Sequence, residues 1–177
     1  MIVLALWSNN LIDTDKAMQV FFDECAAAGP YRCPFYAPTA EDIARNLTAL
    51  YDAVRARPVP VRTATSYGLV DYSRLRMTVF VVLYQPFAAF LPLAAGLADL
   101  AAGDGTRLYQ LLETPPFRCA CDDSPSLAVI KDAQTTIICN DGDVVPPSME
   151  KLQKYFDEMT STSSWSEIWA AIRTDCM

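Results

Sequence analysis

The stretch RMTVFVVLYQPFAAFLPLAAGLAD, residues 76–99, decides the fold because it has no charged side chain between Arg76 and Asp99. The uncharged run, residues 77–98, contains 22 residues, enough to cross a bilayer core of about 30 Å. Pro86 and Pro92 divide it into pieces too short to span, and they break helical hydrogen bonding where lipid offers no replacement. We therefore predict two packed helices around a cavity, residues 71–84 and 86–102, and no membrane span.

Helical patterns continue on both sides of this run. An apolar stripe at residues 18–25 follows N-cap candidates at 13–15 and ends at Gly29-Pro30, and Thr39 with Asp42 begins a second helix in the manner of a capping box. Further helices are predicted at 106–113, around 149–159 and after Ser163 or Ser164, with Asp71 as an N-cap. Residues 133–139 are rich in β-branched side chains and are typical of a strand. The prediction is a single, mainly α domain, residues 1–177, with at most a short β element near 135–139.

Charge and residue counts exclude several classes of function. The chain has 14 basic and 21 acidic residues, a net charge of −7, and no basic cluster, so we predict no nucleic-acid partner. It contains no histidine, and therefore no Ser/His/Asp or Cys/His triad can be assembled within it. Asp141, which follows the predicted strand, has no histidine to orient. We predict that the chain is not a Ser/His/Asp hydrolase on its own.

Six cysteines stand at positions 25, 33, 119, 121, 139 and 176. Their spacing fits a disulfide framework and equally a set of buried thiols. The pair Cys119 and Cys121 lacks the second half of a zinc site, so neither a metal nor a cofactor is predicted. The first ten residues lack the basic segment and cleavage site of a signal peptide. Localisation is thus open between the cytoplasm and the secretory pathway.

Six segments together resemble the helical lid region of α/β-hydrolases of the tripeptidyl-aminopeptidase-like family. They are DTDKAMQVFFDECAAAGPYRCPFYA (13–37), RPVPV (57–61), GLVDYSRLR (68–76), LYQPF (83–87), LADLAAGDGTRLYQLL (97–112) and IICNDGD (137–143). They occur in the family's order and are spread over residues 13–143, which is most of the chain. The resemblance implies a helical lid that lies between the nucleophile elbow and the strands bearing the catalytic acid and histidine. It also implies disulfides between Cys25 and Cys33 and between Cys139 and Cys176. The resemblance offers no match for Cys119 and Cys121, and we leave them unpaired.

A lid without a triad suggests a function that depends on shaping a hydrophobic small molecule. With a mean hydropathy of +0.14, the chain has enough apolar surface for a pocket. We hypothesise a cofactor-free cyclase of secondary-metabolite biosynthesis, similar to a pericyclase or Diels–Alderase, which lowers a barrier by positioning and hydrogen bonding. The predicted catalytic hydrogen-bond donors are Tyr67, Tyr72, Arg76 and Tyr84. The predicted substrate-binding residues are Trp7, Met77, Phe80, Gln85, Phe87 and Phe90.

Other interpretations of the same residues stay open. The chain is alternatively a truncated lid that acts with a separate hydrolase or peptidase core, or a non-catalytic carrier of hydrophobic molecules; homo-oligomerisation is open as well. Each predicted donor also has a structural interpretation as a cap, a surface tyrosine or a core hydroxyl.

Overall fold

A computed structural model describes residues 11–113, 135–137, 139–140, 148–174 and 176, with only the backbone at 172 and 173. Its helices and strands include α1 (Thr14–Ala28), α2 (Ala40–Ala56), β1 (Val59–Arg62), β2 (Tyr67–Val70), α3 (Tyr72–Val82), α4 (Pro86–Ala101), α5 (Thr106–Leu111), α6 (Met149–Thr160) and α7 (Ser166–Thr174). The predicted mainly α fold is confirmed.

The chain divides into two compact units. One contains Lys16–Glu113, and the other contains Met1–Asp15 and Thr114–Met177 as far as the structure describes them. The expectation of a single domain stays a prediction. Trp7, Cys119, Cys121 and Asp141 lie outside the described residues.

Two of the predicted N-caps are formed by the residues that the sequence indicated. The Thr39 hydroxyl accepts a hydrogen bond from the backbone N–H of Asp42 at 3.1 Å and donates to the Asp42 carboxylate at 2.9 Å. Asp71 Oδ1 accepts from the backbone N–H of Arg74 at 2.8 Å. These bonds satisfy N–H groups that the first helical turn leaves without partners. They fix where α2 and α3 begin.

The β element lies elsewhere than predicted. Strands β1 and β2 form an antiparallel hairpin with Val59 opposite Val70, whereas the described residues of 135–140 are helical. The strand predicted near 135–139 is therefore wrong, because strand propensity is worth only about 1 kcal/mol and tertiary context overrides it. The hairpin was missed because Pro60 lies within the first strand and Pro58 directly before it, although proline is compatible with an edge strand.

Tyr109 of α5 holds the hairpin in place. Its hydroxyl donates to the backbone carbonyl of Tyr67 at 3.0 Å and lies 2.9 Å from the Ser66 hydroxyl. A Cβ on Gly68 would lie 2.6 Å from the Tyr109 ring. Only glycine therefore allows this approach of ring and strand.

The core of the unit containing Lys16–Glu113 forms where α4 packs against α3 and α5, and α3 also packs against α2. Its central side chains are less than a tenth exposed: Ile43, Leu47, Leu75, Val79, Leu93, Leu97, Leu100 and Leu108. In the other unit α6 packs against α7 around Met159, Trp165 and Ile168. There the Asp15 carboxylate accepts hydrogen bonds from the hydroxyl of Ser164 at 2.5 Å and from its backbone N–H at 3.1 Å.

Both disulfides implied by the family resemblance are present. Cys25 and Cys33 are bonded with their Cα atoms 5.3 Å apart, and Cys139 and Cys176 with theirs 5.2 Å apart. These distances lie within the ordinary range for a disulfide. Each bond closes a loop within one unit.

The turn before α5 provides a pH-dependent contribution to stability. Hydrogen bonds from the side chain and backbone of Thr106 lower the pKa of the exposed Asp104 carboxyl below its ordinary value of 3.8. A lowered pKa stabilises the fold above the unfolded-state pKa, and this contribution is lost as the pH falls through the folded-state pKa. We expect Asp104→Asn to lower the thermal unfolding midpoint at pH 7. The difference in midpoint between the variant and the unmodified chain is expected to narrow as the pH falls below 3.8. Thermal unfolding of both chains from pH 7 downwards measures this difference, and a difference that is constant with pH contradicts the prediction.

Candidate functional site

An exposed apolar surface lies at the junction of α3 and α4. We define the apolar face as Met77, Val81, Tyr84, Phe87 and Leu91, all of them exposed. The side chain of Phe87 is fully exposed, and those of Tyr84 and Leu91 are 67% and 62% exposed. These side chains fall within the charge-free run that the sequence singled out.

Helical spacing groups these side chains into two sets, one on α3 and the turn after it and one on α4. Met77, Val81 and Tyr84 follow one another at intervals of four and three residues, and Phe87 and Leu91 are four apart, so within each set the side chains are neighbours on the helix surface. The opposite sides of the two helices carry the buried Val79 and Leu93. Large exposed apolar surfaces of soluble proteins commonly mark interaction sites. The apolar face is therefore the first candidate functional surface.

A hollow of about 180 Å³ lies beside this face. Phe21 of α1 and Phe90 of α4 line it, and their rings meet edge to face with centroids 5.3 Å apart. The Cys25–Cys33 disulfide contributes another wall, and Leu91 belongs both to the lining and to the apolar face. The hollow is the second candidate functional surface.

Two charged side chains lie at the mouth of the hollow, Glu24 on α1 and Arg32 in the turn that follows α1. Gly29, with φ +75°, ends the helix, and its carbonyl accepts hydrogen bonds from the backbone N–H groups of Arg32 at 3.2 Å and Cys33 at 3.0 Å. A positive φ of this kind favours glycine. Arg32 and Glu24 both line the hollow and are both exposed. The mouth thus carries one positive and one negative side chain.

The hollow differs in position and lining from the predicted site. The sequence predicted a cavity between residues 71–84 and 86–102, whereas this hollow lies between α1 and α4. Of the described residues predicted to bind substrate, Phe90 lines it. Met77 and Phe87 lie on the apolar face, Gln85 is exposed at the start of α4, and Phe80 is buried with its ring 5.7 Å from that of Tyr84.

Two of the four predicted hydrogen-bond donors take part in a stack of aromatic rings and guanidinium groups between α2 and α3. The Arg55 guanidinium lies 3.9 Å from the Tyr72 ring centroid, and the Tyr72 and Tyr51 rings meet edge to face at 5.8 Å. Arg76, which is 8% exposed, lies 5.1 Å from the Tyr51 centroid. Such contacts stabilise packing, which favours the structural interpretation of Tyr72 and Arg76.

The four predicted donors do not line the hollow. Tyr67 is exposed on β2 and Tyr84 is exposed on the apolar face, while Tyr72 and Arg76 belong to the stack. Their catalytic roles stay a prediction. Sequence reasoning assigned Phe21 only to the buried stripe of a helix, and no pattern pointed to Arg32 or Glu24. Arg32 reaches the hollow through the turn at Gly29, and Glu24 lines it from α1.

Neither a metal-binding cluster nor a membrane-spanning helix occurs among the residues that the structure describes. That part of the chain contains no cluster of three histidine, cysteine or acidic side chains able to hold a metal ion. None of its helices combines the length and the apolar character needed to cross a bilayer.

Comparison with protein-family models, with curated proteins and with solved structures found no match for this chain.

Proposed function

We propose that this chain is a helical lid of an α/β-hydrolase similar to the tripeptidyl-aminopeptidase-like family, and that it covers a core bearing the catalytic triad. The apolar face supports the proposal, because α3, α4 and their connection expose five apolar side chains within 15 residues of the chain. A lid uses such a surface to exclude water and to form the apolar wall of a substrate site.

The residue content is consistent with a lid whose catalytic residues are supplied by the core. The chain has no histidine, so the base of a hydrolytic triad comes from the core. The segment between Arg76 and Asp99, which carries the apolar face, has no charged side chain. Docking the face against an apolar surface therefore buries no unpaired ion from this segment.

Burial of the apolar side chains supplies the free energy for docking of the lid on the core. Complete burial of a leucine, valine, methionine or phenylalanine side chain is worth about 1.5–3 kcal/mol. Part of this gain is offset by the lost translational and rotational freedom of the partners. Phe87 has the most to gain, since its side chain is fully exposed.

The experiment combines the chain with a hydrolase core of this family from which the lid has been removed. Hydrolysis of a chromogenic tripeptide substrate is measured against lid concentration. We expect the chain to raise kcat/KM of the core by at least about tenfold, and Phe87→Asp to abolish the gain, because it puts an unpaired charge into the contact. Tyr31→Asp is the matched control, since Tyr31 is also a fully exposed aromatic residue but lies outside the apolar face.

Two outcomes contradict the lid proposal. One is that the chain leaves kcat/KM of the core unchanged. The other is that Phe87→Asp stimulates the core as well as Tyr31→Asp does.

The cyclase and carrier hypotheses stay predictions, and a separate assay tests them. Conversion of a linear polyunsaturated precursor by the chain alone, faster than in buffer, supports the cyclase. Binding without any change in that rate supports the carrier.

A further inference from the structure

We propose that the hollow between α1 and α4 binds a free α-amino acid with an apolar side chain. In this assignment the side chain enters the hollow, the α-carboxylate pairs with Arg32 and the α-ammonium group pairs with Glu24. The proposal does not rest on the lid function, because all of its charged contacts lie outside the apolar face.

The size of the hollow limits the side chain to one ring or one branched aliphatic group. Its volume is about 180 Å³, and a cavity of about 150 Å³ lined by apolar side chains holds one benzene molecule. Phenylalanine and leucine fit this limit.

The walls are suited to an apolar guest. Phe21 is 2% exposed, and Cys25 and Cys33 are 4% and 5% exposed, so this part of the lining consists of well-packed apolar side chains. The edge of the Phe90 ring already meets Phe21 within the lining. A guest ring gains further edge-to-face contacts there.

The charges at the mouth select a zwitterion. Neither Glu24 nor Arg32 makes a side-chain hydrogen bond or ion pair with another residue in the part of the chain that the structure describes. A ligand with a single charge is attracted by one of these side chains and repelled by the other. An α-amino acid presents both charges next to its side chain and so finds a partner for each.

Three probes that share a phenyl ring separate these contributions. L-phenylalanine has both charges, 3-phenylpropionate only the carboxylate, and 2-phenylethylamine only the ammonium group. We expect L-phenylalanine to bind about threefold more tightly than either single-charge probe, as is typical of exposed ion pairs. NMR titration of the full chain measures all three dissociation constants.

Charge variants assign each contact. Arg32→Gln is expected to weaken the binding of L-phenylalanine and of 3-phenylpropionate about threefold, and not to weaken the binding of 2-phenylethylamine. Glu24→Gln is expected to weaken the binding of L-phenylalanine and of 2-phenylethylamine about threefold, and not to weaken the binding of 3-phenylpropionate. Arg57→Gln is the control, because Arg57 is an exposed arginine outside the hollow. Ala28→Trp, at the exposed end of α1, is expected to obstruct the mouth and to weaken all three probes at least about tenfold.

Equal affinities for the three probes overturn the proposal, as does an Arg57→Gln effect equal to that of Arg32→Gln. The absence of concentration-dependent shifts around Phe21 and Phe90 also overturns it. Phe87→Asp is expected to bind L-phenylalanine unchanged. Failure of the lid proposal and failure of this one are therefore distinguishable.

Discussion

Leu97→Ala is expected to lower the free energy of unfolding by about 3 kcal/mol, as is typical of a leucine removed from a packed core. Leu97 is 0% exposed, and it lies on the side of α4 that also carries the fully buried Leu93. α4 packs against both α3 and α5. Removing the side chain therefore leaves a cavity at the centre of the unit, where neighbours on several elements lose contacts at once.

Leu91→Ala is the matched control for this prediction. It makes the same chemical change in the same helix, but Leu91 is 62% exposed, so we expect a loss of less than about 0.5 kcal/mol. Urea unfolding at constant temperature measures both variants. Equal losses for the two variants contradict the description of α4 as a helix with one buried and one exposed side.

Replacing Cys25 and Cys33 together by alanine is expected to cost about 2.5 kcal/mol of stability, the chain-entropy value for a loop of this length. The two cysteines are 8 residues apart, and their disulfide closes the turn that contains Gly29. Without the bond, the unfolded chain gains freedom and the turn that places Arg32 is held only by its hydrogen bonds. We therefore expect L-phenylalanine binding at the hollow to weaken as well.

Urea unfolding of the double variant under non-reducing conditions isolates this effect, because the Cys139–Cys176 disulfide is retained. An unchanged midpoint together with unchanged L-phenylalanine binding contradicts a structural role for the bond. Loss of stability with binding unchanged instead assigns the bond to folding alone.

Local patterns predicted the helices well. Thr39 and Asp71 cap helices where the sequence indicated, and α1 ends just before Gly29, because caps and glycine stops depend on residues adjacent in the chain. The hairpin depends on Tyr109, which lies 43 residues after its hydrogen-bond partner Ser66. No local pattern contains that contact.

The candidate site was harder to predict for the same reason. The sequence correctly marked residues 77–98 as a charge-free run, but not which of its side chains would be buried. Phe21 and Phe90 meet across the hollow although they belong to different helices, and Arg32 reaches its mouth through the turn at Gly29. Tyr72 and Arg76, chosen as hydrogen-bond donors, find partners in α2 through contacts that helical periodicity does not encode.

Radical footprinting of Met77, Tyr84 and Phe87, with and without the lidless hydrolase core, tests the central claim most directly. These side chains are exposed in the chain described here, so all three are expected to be modified readily when it is alone. We predict that the core protects all three while Tyr31 stays reactive, at lid concentrations where size-exclusion chromatography shows no self-association. Unchanged modification of Met77, Tyr84 and Phe87 in the presence of a core that the chain activates would contradict the assignment of the apolar face as the lid's contact surface.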